Sequence, residues 1–431
     1  MTRTPSAPDA TVPGRISAPV TPAQLPALRR RVQAGLIATQ VLGGLGIAIG
    51  FALAAVLARD VSGTEALSGL ASTASVAGSA LLAMPLATLM TRRGRRVGLV
   101  LAYLLAAVGA GVVVLGAVLG NFPLLLVGLV GFGAGSSANL AARFAAADLA
   151  EPDRRARAIS TVVWATTIGA VLGPNVAAPA GRSVSGWGIP AAAGPFVWAA
   201  GVFVLAAAVV AVLLRPDPLL TARALADAEP GGQAAEGRSL RAGMDAVRKS
   251  PRARIALVTI AGSHTAMVSI MSMTPVALTH HGADIQLIGL VISGHITGMY
   301  AFSPVMGWLS DRLGRLAVIG LAVGLIGTAA LVAGTAGPSH GRIALGLFIL
   351  GLGWSAGLVS GSALLTDSVP QAARAAVQGV SDFVMNTAAG VGGLAAGLVV
   401  SQAGYGPLNA IAACLLLPMA ALALRGALRK V

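Results

Sequence analysis

Charged residues are scarce in this chain of 431 residues, where Asp, Glu, Lys and Arg together make up 10%. A soluble protein carries about 25% of these residues because its surface must be solvated. Apolar residues make up 56% of the chain, and the mean hydropathy is +0.82. So little charge excludes a series of water-exposed domains. It predicts an integral membrane protein whose surface mostly faces lipid.

Cysteine and lysine are also scarce, and each shortage excludes a class of chemistry. The single cysteine, Cys414, lies in the last apolar segment, which excludes an intramolecular disulfide and a cysteine-based metal cluster. The only lysines are Lys249 and Lys430, and neither follows the glycine-rich pattern that cradles nucleotide phosphates. We therefore expect no cofactor, no metal and no ATP-driven pump within this chain.

The basic residues are present in excess, with a net charge of +15, and they are distributed unevenly. When the loops are assigned alternately to the two sides of a membrane, all Lys and Arg fall on one side except Arg59, Arg182 and Arg342. This is the positive-inside pattern, and it predicts that both termini are cytoplasmic. The charge is thus a topology signal suited to anionic lipid, and nucleic acid is not an expected partner.

Twelve apolar segments of membrane length predict an all-α integral membrane fold. A bilayer-spanning helix needs about 20 apolar residues. The predicted helices are 34–58, 67–90, 97–119, 123–146, 158–180, 191–214, 255–279, 285–309, 315–336, 342–366, 376–402 and 406–425. We expect a disordered cytoplasmic tail at 1–33, a six-helix bundle at 34–214, a cytoplasmic linker at 215–254, a second bundle at 255–425 and a tail at 426–431.

The two halves show an internal repeat. The basic turn 91–96 after the second predicted helix matches the turn 311–316 after the eighth, and the two lie 220 residues apart. Repeats of this kind in transporters place the solute site at the interface between the halves, near the membrane midplane.

The segment 307–315 reads Gly-Trp-Leu-Ser-Asp-Arg-Leu-Gly-Arg. It resembles the loop signature of the major facilitator superfamily, and the layout of six plus six helices resembles the same family. The resemblance implies a cytoplasmic latch made by Gly307, Asp311, Arg312, Gly314 and Arg315. Asp311 is expected to bind a helix N-terminus or to pair with an arginine at the start of the fifth helix, with Arg157 as the candidate. The first-half copy has Ala87 and Thr91 in place of the glycine and the aspartate.

The fifth predicted helix carries Gly169, Gly173 and Pro174, which resemble the antiporter motif of drug/proton exporters in that superfamily. A proline bends a helix and glycines let a neighbour pack closely, so plain helix bending is the alternative interpretation. The fourth helix has Leu129 and Phe132 where the exporter signature has Arg and Gln.

Ionisable side chains inside the spans are candidates for proton coupling, because charge in hydrocarbon is costly and seldom present without a function. They are Asp382 in the eleventh predicted helix, His295 in the eighth and His264 in the seventh. A structural Asp382 bonded to Gln378 or Asn386 on its own helix, and neutral packed histidines, are the alternatives.

Further polar, sulfur-containing and aromatic side chains are candidates for the solute cavity. Met267 and Met271 share one stripe of the seventh helix with His264, and methionine suits varied apolar ligands but also ordinary packing. The complete set of cavity candidates is Gln40, Asn139, Arg143, Met267, Met271 and Trp354.

These observations predict a secondary transporter, most simply a proton-coupled exporter of small amphipathic compounds. The open alternatives are an importer or facilitator of a small metabolite and, more distantly, an intramembrane enzyme using Ser360 or Ser362 beside His295. We expect no enzyme activity. The expected partners are a small-molecule solute, protons and membrane lipid, and the expected form is a monomer in the cell (inner) membrane.

Overall fold

A computed structural model describes residues 21, 23–64, 67, 69–227, 240–283 and 285–421. Within these residues, eleven helical segments are long and apolar enough to cross a membrane, and a shorter apolar helix covers Tyr405–Ala421. The predicted all-α architecture of two six-helix halves is confirmed. Most of the predicted N-terminal tail and all of the C-terminal one lie outside the described residues.

The first half contains six membrane helices around a buried apolar cluster that includes Leu36, Leu99 and Phe132. The helices are α1 Leu25–Ser62, α2 Gly69–Arg93, α3 Arg95–Val118, α4 Phe122–Phe132 continued by Ala134–Asp148, α5 Arg155–Ser183 and α6 Gly194–Leu213.

The second half repeats this arrangement. Its helices are α7 Pro251–His280, α8 Ile285–Tyr300 continued by Ser303–Leu313, α9 Arg315–Gly334, α10 His340–Asp367, α11 Arg374–Ala403 and α12 Tyr405–Cys414. Its apolar cluster also includes Ile159 and Val163 of α5, so the packing continues across the boundary between the halves.

Two turns related by the repeat define one end of the molecule. Gly94 joins α2 to α3 with φ 90°, and Gly314 joins α8 to α9 with φ 94°. Both angles lie in the left-handed region, which favours glycine because a side chain would strain the backbone there. Arginines flank both glycines, and we call this end of the bundle the basic side.

Helix α1 begins nine residues before its predicted start at residue 34. Pro26 lies in its first turn, where a proline has no hydrogen bond to lose and its fixed φ favours the helix. Arg29 on this extension pairs with Glu151 at 2.5 Å. The hydrophobic pattern gave the apolar part of α1, and the expectation that 25–33 belong to a tail is wrong.

The stretch between α6 and α7 forms two short helices in its described parts. The first linker helix, Pro218–Asp227, buries Leu219 in the first-half cluster. The second linker helix, Leu240–Lys249, buries Val247 in the second-half cluster. Each linker helix therefore packs mainly with one half.

Helix α8 is interrupted between Tyr300 and Ser303, just before Pro304. A proline nitrogen cannot donate to the carbonyl one turn earlier, which here is that of Tyr300. The Ser303 hydroxyl lies 2.8 Å from this carbonyl oxygen and 3.0 Å from the carbonyl oxygen of Ser160 on α5, so its single proton is shared between the two acceptors. The interruption is therefore at the boundary between the halves.

Candidate functional site

Asp311 joins the two halves on the basic side. Its carboxylate accepts the backbone N–H of Ala156 at 3.1 Å and that of Arg157 at 2.9 Å. These groups are in the first turn of α5 and have no partner within that helix. The positive end of the helix dipole also favours an anion there. Two interactions were predicted for Asp311, and the structure shows the one in which its carboxylate binds the N-terminus of a helix. Arg157 contributes its backbone N–H, and its exposed guanidinium forms no ion pair with Asp311 among the described residues.

The guanidinium of Arg315 supports this contact from its own half. It contacts Asp311 and donates to Asp367 at the end of α10 at 3.2 Å. Arg155 of the first half donates to the same Asp367 at 2.6 Å. Arg312 points elsewhere, with its guanidinium 5.2 Å from the Trp308 ring centroid. Of the arginines expected in the latch, Arg315 takes part through its side chain.

Small residues allow the halves to approach at two repeat-related positions. A side chain at Gly307 of α8 would overlap Ser160 of α5. In the other copy, a side chain at Gly379 of α11 would overlap Ala87 of α2. The first-half signature has Ala87 where the second half has Gly307. At this contact the glycine is Gly379, on the opposing helix α11.

A second charged contact occupies the repeat-related position in the first half. Arg95 donates to Asp148 at the end of α4 at 2.7 Å, and both side chains are almost completely buried. Arg95 also contacts the side-chain oxygen of Gln378 on α11. Arg95 and Asp148 occupy the positions that Arg315 and Asp367 occupy in the other half.

The first linker helix adds a bridge where the first-half signature has lost its aspartate. Arg223 donates to the backbone oxygens of Thr91 at 2.8 Å and Ala372 at 2.9 Å. These oxygens belong to different halves, one at the end of α2 and the other just before α11. The Thr91 hydroxyl bonds to Ala87 of its own helix at 2.7 Å and does not cross the boundary.

The central feature of the boundary is an ion pair between α4 and α11. Arg143 Nη2 lies 2.7 Å from Asp382 Oδ1, and the exposures of the two side chains are 1% and 4%. Arg143 Nε also donates to Ser362 of α10 at 3.1 Å. Replacing either partner by an apolar side chain would leave an uncompensated buried charge with no hydrogen-bond partner in its place, at a cost of roughly 3–5 kcal/mol.

The surroundings of Asp382 also include both alternatives considered from the sequence. Gln378 donates to Asp382 Oδ2 at 3.3 Å, and Asn386 donates to the Asp382 backbone oxygen at 2.7 Å. Asp382 is therefore held from its own helix and from the opposite half. Arg143 Nη1 is buried with no hydrogen-bond partner in the described part of the chain.

His264 is held by Trp354. The indole Nε1–H donates to His264 Nδ1 at 2.8 Å, and the two ring centroids lie 6.0 Å apart. Because an indole nitrogen can only donate, Nδ1 must carry a lone pair and a neutral His264 must carry its proton on Nε2. The two candidates therefore form one unit between α7 and α10.

His295 lies within the second half, packed against α10. Its Nδ1 is 2.7 Å from the backbone oxygen of Leu347, so this nitrogen is the donor. Its Nε2 is buried without a partner in the described residues. Ser362 bonds to Arg143 instead of His295, and the catalytic dyad weighed from the sequence does not form.

The remaining cavity candidates are divided between the halves. Gln40 donates to Thr166 of α5 at 2.9 Å. Asn139 accepts the Tyr103 hydroxyl at 2.9 Å and is buried inside the first half. Met267 is buried in the second-half cluster, and Met271 packs partly buried against the same cluster.

The glycines of the antiporter-like motif pack against α1. A side chain at Gly169 would meet the backbone of Gly44 and Leu45, and one at Gly173 would meet Ala48. Helix α5 continues through Gly173 and Pro174 to Ser183. The motif thus gives close packing inside the first half.

The polar contacts between the halves share one location. The hydrogen bonds and ion pairs found between the described parts of the two halves all come from residues within ten positions of the basic-side ends of their helices. The molecule is therefore closed on its basic side.

Comparison with known proteins places the chain in a family. The sequence model of the Major Facilitator Superfamily matches residues 36–284 and 255–430. The chain belongs to this superfamily. It is 38% identical over 376 residues to the MFS-type transporter YdeG of Bacillus subtilis, with 86% of each protein covered. It is 29% identical over 383 residues to the riboflavin transporter RfnT of Brucella anthropi, covering 89% of this chain and 92% of that one.

Solved structures of the superfamily have the same fold. The crystal structure of the transporter FucP in its outward conformation aligns with a TM-score of 0.71, covering 91% of this chain and 98% of FucP. Sequence identity in this alignment is 17%, so the likeness concerns the fold alone. With the family matches, it identifies the protein as a multi-pass membrane transporter and not an enzyme.

Sequence reasoning missed several residues of the boundary between the halves. Arg95 reads as one more basic loop residue, and Arg223 as part of a polar linker. The repeat of the two turns already pairs Arg95 with Arg315, and Asp148 and Asp367 end equivalent helices, but only the structure shows that each arginine binds the aspartate of its own half. No sequence signal marks Arg223, because its partners are backbone oxygens.

Proposed function

We propose that this superfamily member is a secondary transporter of the cell (inner) membrane that couples the export of small amphipathic compounds to protons. The observation that carries the proton coupling is the buried pair of Arg143 and Asp382 across the boundary between the halves. We take the basic side as cytoplasmic, which puts both termini in the cytoplasm.

Protonation of Asp382 is the step that links charge to conformation. The ionised carboxylate holds Arg143 and thereby ties α11 to α4 on the basic side. A neutral carboxyl group loses the charge-assisted part of this bond, which weakens the closed state. The proton thus favours opening toward the cytoplasm, where its release restores the ion pair and the closed state.

Two further observations bear on the direction of transport and on the solute. Export is favoured by the resemblance of Gly169, Gly173 and Pro174 to the antiporter motif. A second candidate is import of a small metabolite. The relative named as a riboflavin transporter supports a flat amphipathic metabolite as solute, so riboflavin is the first compound to test.

The decisive experiment uses proteoliposomes with an imposed pH gradient. Riboflavin and a panel of amphipathic dyes are first screened for raising the melting temperature, and the compounds that do so are assayed for transport. We expect Asp382→Asn to abolish gradient-driven accumulation while solute exchange at equal pH stays within about threefold of wild type, since Asn keeps the shape and one acceptor.

Asp60→Asn is the matched control, because Asp60 is exposed and pairs with neighbouring Arg59 at 3.2 Å. This variant should accumulate solute like the wild type. Full gradient-driven accumulation by Asp382→Asn, at equal amounts of folded protein, would exclude Asp382 as the coupling group. Product formation from any panel compound would contradict a transporter without enzyme activity.

A further inference from the structure

Three aromatic side chains from three helices meet in the second half. Trp354 of α10 bonds to His264 of α7, and the Tyr300 ring of α8 meets the Trp354 ring edge to face, with centroids 5.5 Å apart. Trp354 is 3% exposed, whereas His264 and Tyr300 are half-buried. The indole therefore forms the back of the cluster, and the other two rings form its accessible surface.

The accessible rings lie toward the boundary between the halves. Arg143, on α4 of the first half, donates to Ser362 on α10, about two turns from Trp354 on the same helix. Ser303, one turn after Tyr300, reaches the Ser160 backbone on α5. His264 Nε2 and the Tyr300 hydroxyl form no hydrogen bond to the described residues.

The hydrogen bond from Trp354 determines what His264 can do. A second proton on the imidazole would reside on Nδ1 and would face the indole N–H, losing the 2.8 Å bond. His264 is therefore held as a neutral donor through Nε2, which fits solute binding better than the proton coupling expected from the sequence.

We propose that His264, Tyr300 and Trp354 form a subsite for a flat heteroaromatic ring that carries a carbonyl oxygen or ring nitrogen as acceptor. His264 Nε2–H donates to that acceptor, the Tyr300 ring packs against the flat ring, and the Tyr300 hydroxyl offers a second hydrogen bond. Trp354 is a positioning residue that fixes the His264 tautomer. The inference rests on the proposed function, since it specifies the solute class of that transporter.

Lumichrome, a flat tricyclic compound with ring carbonyls and ring nitrogens, is the probe. Its binding to the purified full-length protein is measured by fluorescence quenching. Loss of one hydrogen bond or one aromatic contact is worth about 1–1.4 kcal/mol, so His264→Leu and Tyr300→Leu should each raise Kd about five- to tenfold. Tyr300→Phe removes only the hydroxyl and should raise Kd about threefold.

His340→Leu and Phe302→Leu are the matched controls. His340 is on the first turn of α10 and bonds to the His281 backbone at 3.0 Å, and Phe302 is exposed and packs on Phe348. Both variants should bind lumichrome within twofold of wild type. Circular dichroism melting confirms that each variant is folded.

Trp354→Phe tests the positioning role because it keeps an aromatic ring and removes only the donor. The imidazole can then carry its single proton on either nitrogen, so the fraction of molecules with a donor at Nε2 falls. Lumichrome affinity should therefore be lower in Trp354→Phe than in wild type. Carbon and nitrogen NMR shifts of histidine-labelled protein should show His264 as the Nε2–H tautomer in wild type and as a mixture of both tautomers in Trp354→Phe.

Each result decides the proposal. No lumichrome binding by the wild-type protein would overturn the solute class, and unchanged binding in His264→Leu and Tyr300→Leu would overturn the location. The Nε2–H tautomer alone in Trp354→Phe, as in wild type, would overturn the positioning role. The proton-coupling proposal fails separately, because it is read from gradient-driven accumulation in Asp382→Asn.

Discussion

At the scale of single residues, the boundary between the halves depends on charged side chains that bind the ends of helices. Asp311 is an anion at the N-terminus of α5, and its two backbone donors belong to the opposite half. Thr91 occupies the equivalent position but satisfies its hydroxyl within α2. The two repeat positions therefore contribute unequally to closure of the basic side.

Replacement of Asp311 by Asn should open the basic side. The amide keeps one acceptor oxygen but loses the charge and one of the two bonds, which together are worth about 1–2 kcal/mol. A cysteine at Ser160, which is buried against Gly307, reports closure in a Cys414→Ser background. We expect its labelling by an impermeant maleimide to be about tenfold faster in Asp311→Asn, since 1.4 kcal/mol is a factor of ten.

Thr91→Ala is the matched variant, and its labelling rate should stay within twofold of wild type because no bond across the boundary is lost. Equal acceleration in the two variants would show that the Asp311 charge has no special part in closure.

At the scale of helices, the hydrophobic pattern predicted each membrane span because lipid contact requires long apolar runs. It missed the start of α1 at Leu25 and the two linker helices, since these segments are polar and their helical structure depends on capping and packing. It also missed the interruption of α8, although Pro304 is a visible signal for it.

The site was predictable to a smaller extent than the fold. Asp382, Arg143, His264 and Trp354 were chosen because ionisable or amphipathic side chains are unusual in an apolar span. Their pairing across helices was not predictable, since it depends on how the halves pack. Asn139 is an example. The sequence made it a candidate for the solute cavity, and in the structure its amide oxygen accepts the Tyr103 hydroxyl inside the first half.

The segment between the halves looks like a simple connection in the sequence, but its first linker helix makes bonds to both halves that can be tested. Arg223 binds oxygens on both sides of the boundary, so opening of the basic side must break at least one of these bonds. Loss of two charge-assisted bonds in Arg223→Gln should increase amide hydrogen exchange at the start of α11 about three- to tenfold.

Arg248→Gln on the second linker helix is the control for that measurement. Arg248 is largely exposed, and its nearest carboxylate, that of Asp245, is 4.0 Å away. A surface pair of this kind contributes less than about 1 kcal/mol, so exchange at α11 should not change. Identical exchange at α11 in Arg223→Gln and wild type would show that the linker does not hold the halves together.

At the scale of the whole molecule, closure of the basic side depends on two contacts related by the repeat. Gly307 meets Ser160 in one, and Gly379 meets Ala87 in the other. Each contact needs a position without a side chain, and the charged contacts of Arg95 and Asp311 lie beside them. Because the halves move as packed units in alternating access, a wedge at one contact should shift the whole molecule.

Gly379→Val supplies such a wedge, because the added methyl groups would occupy the space of Ala87. We expect the basic side to stay open, so that the Ser160→Cys reporter is labelled at least tenfold faster. A cysteine at Met271, nearer the opposite end of α7, should be labelled more slowly, and gradient-driven transport should fall at least tenfold.

Gly390→Val is the matched control. It lies on the same helix as Gly379, with no atom within 4 Å of the new Cβ, and should change each rate less than twofold. Faster labelling at Ser160→Cys without slower labelling at Met271→Cys would mean that the two sides open independently, which would exclude the rigid rocking of two halves on which the transport mechanism depends.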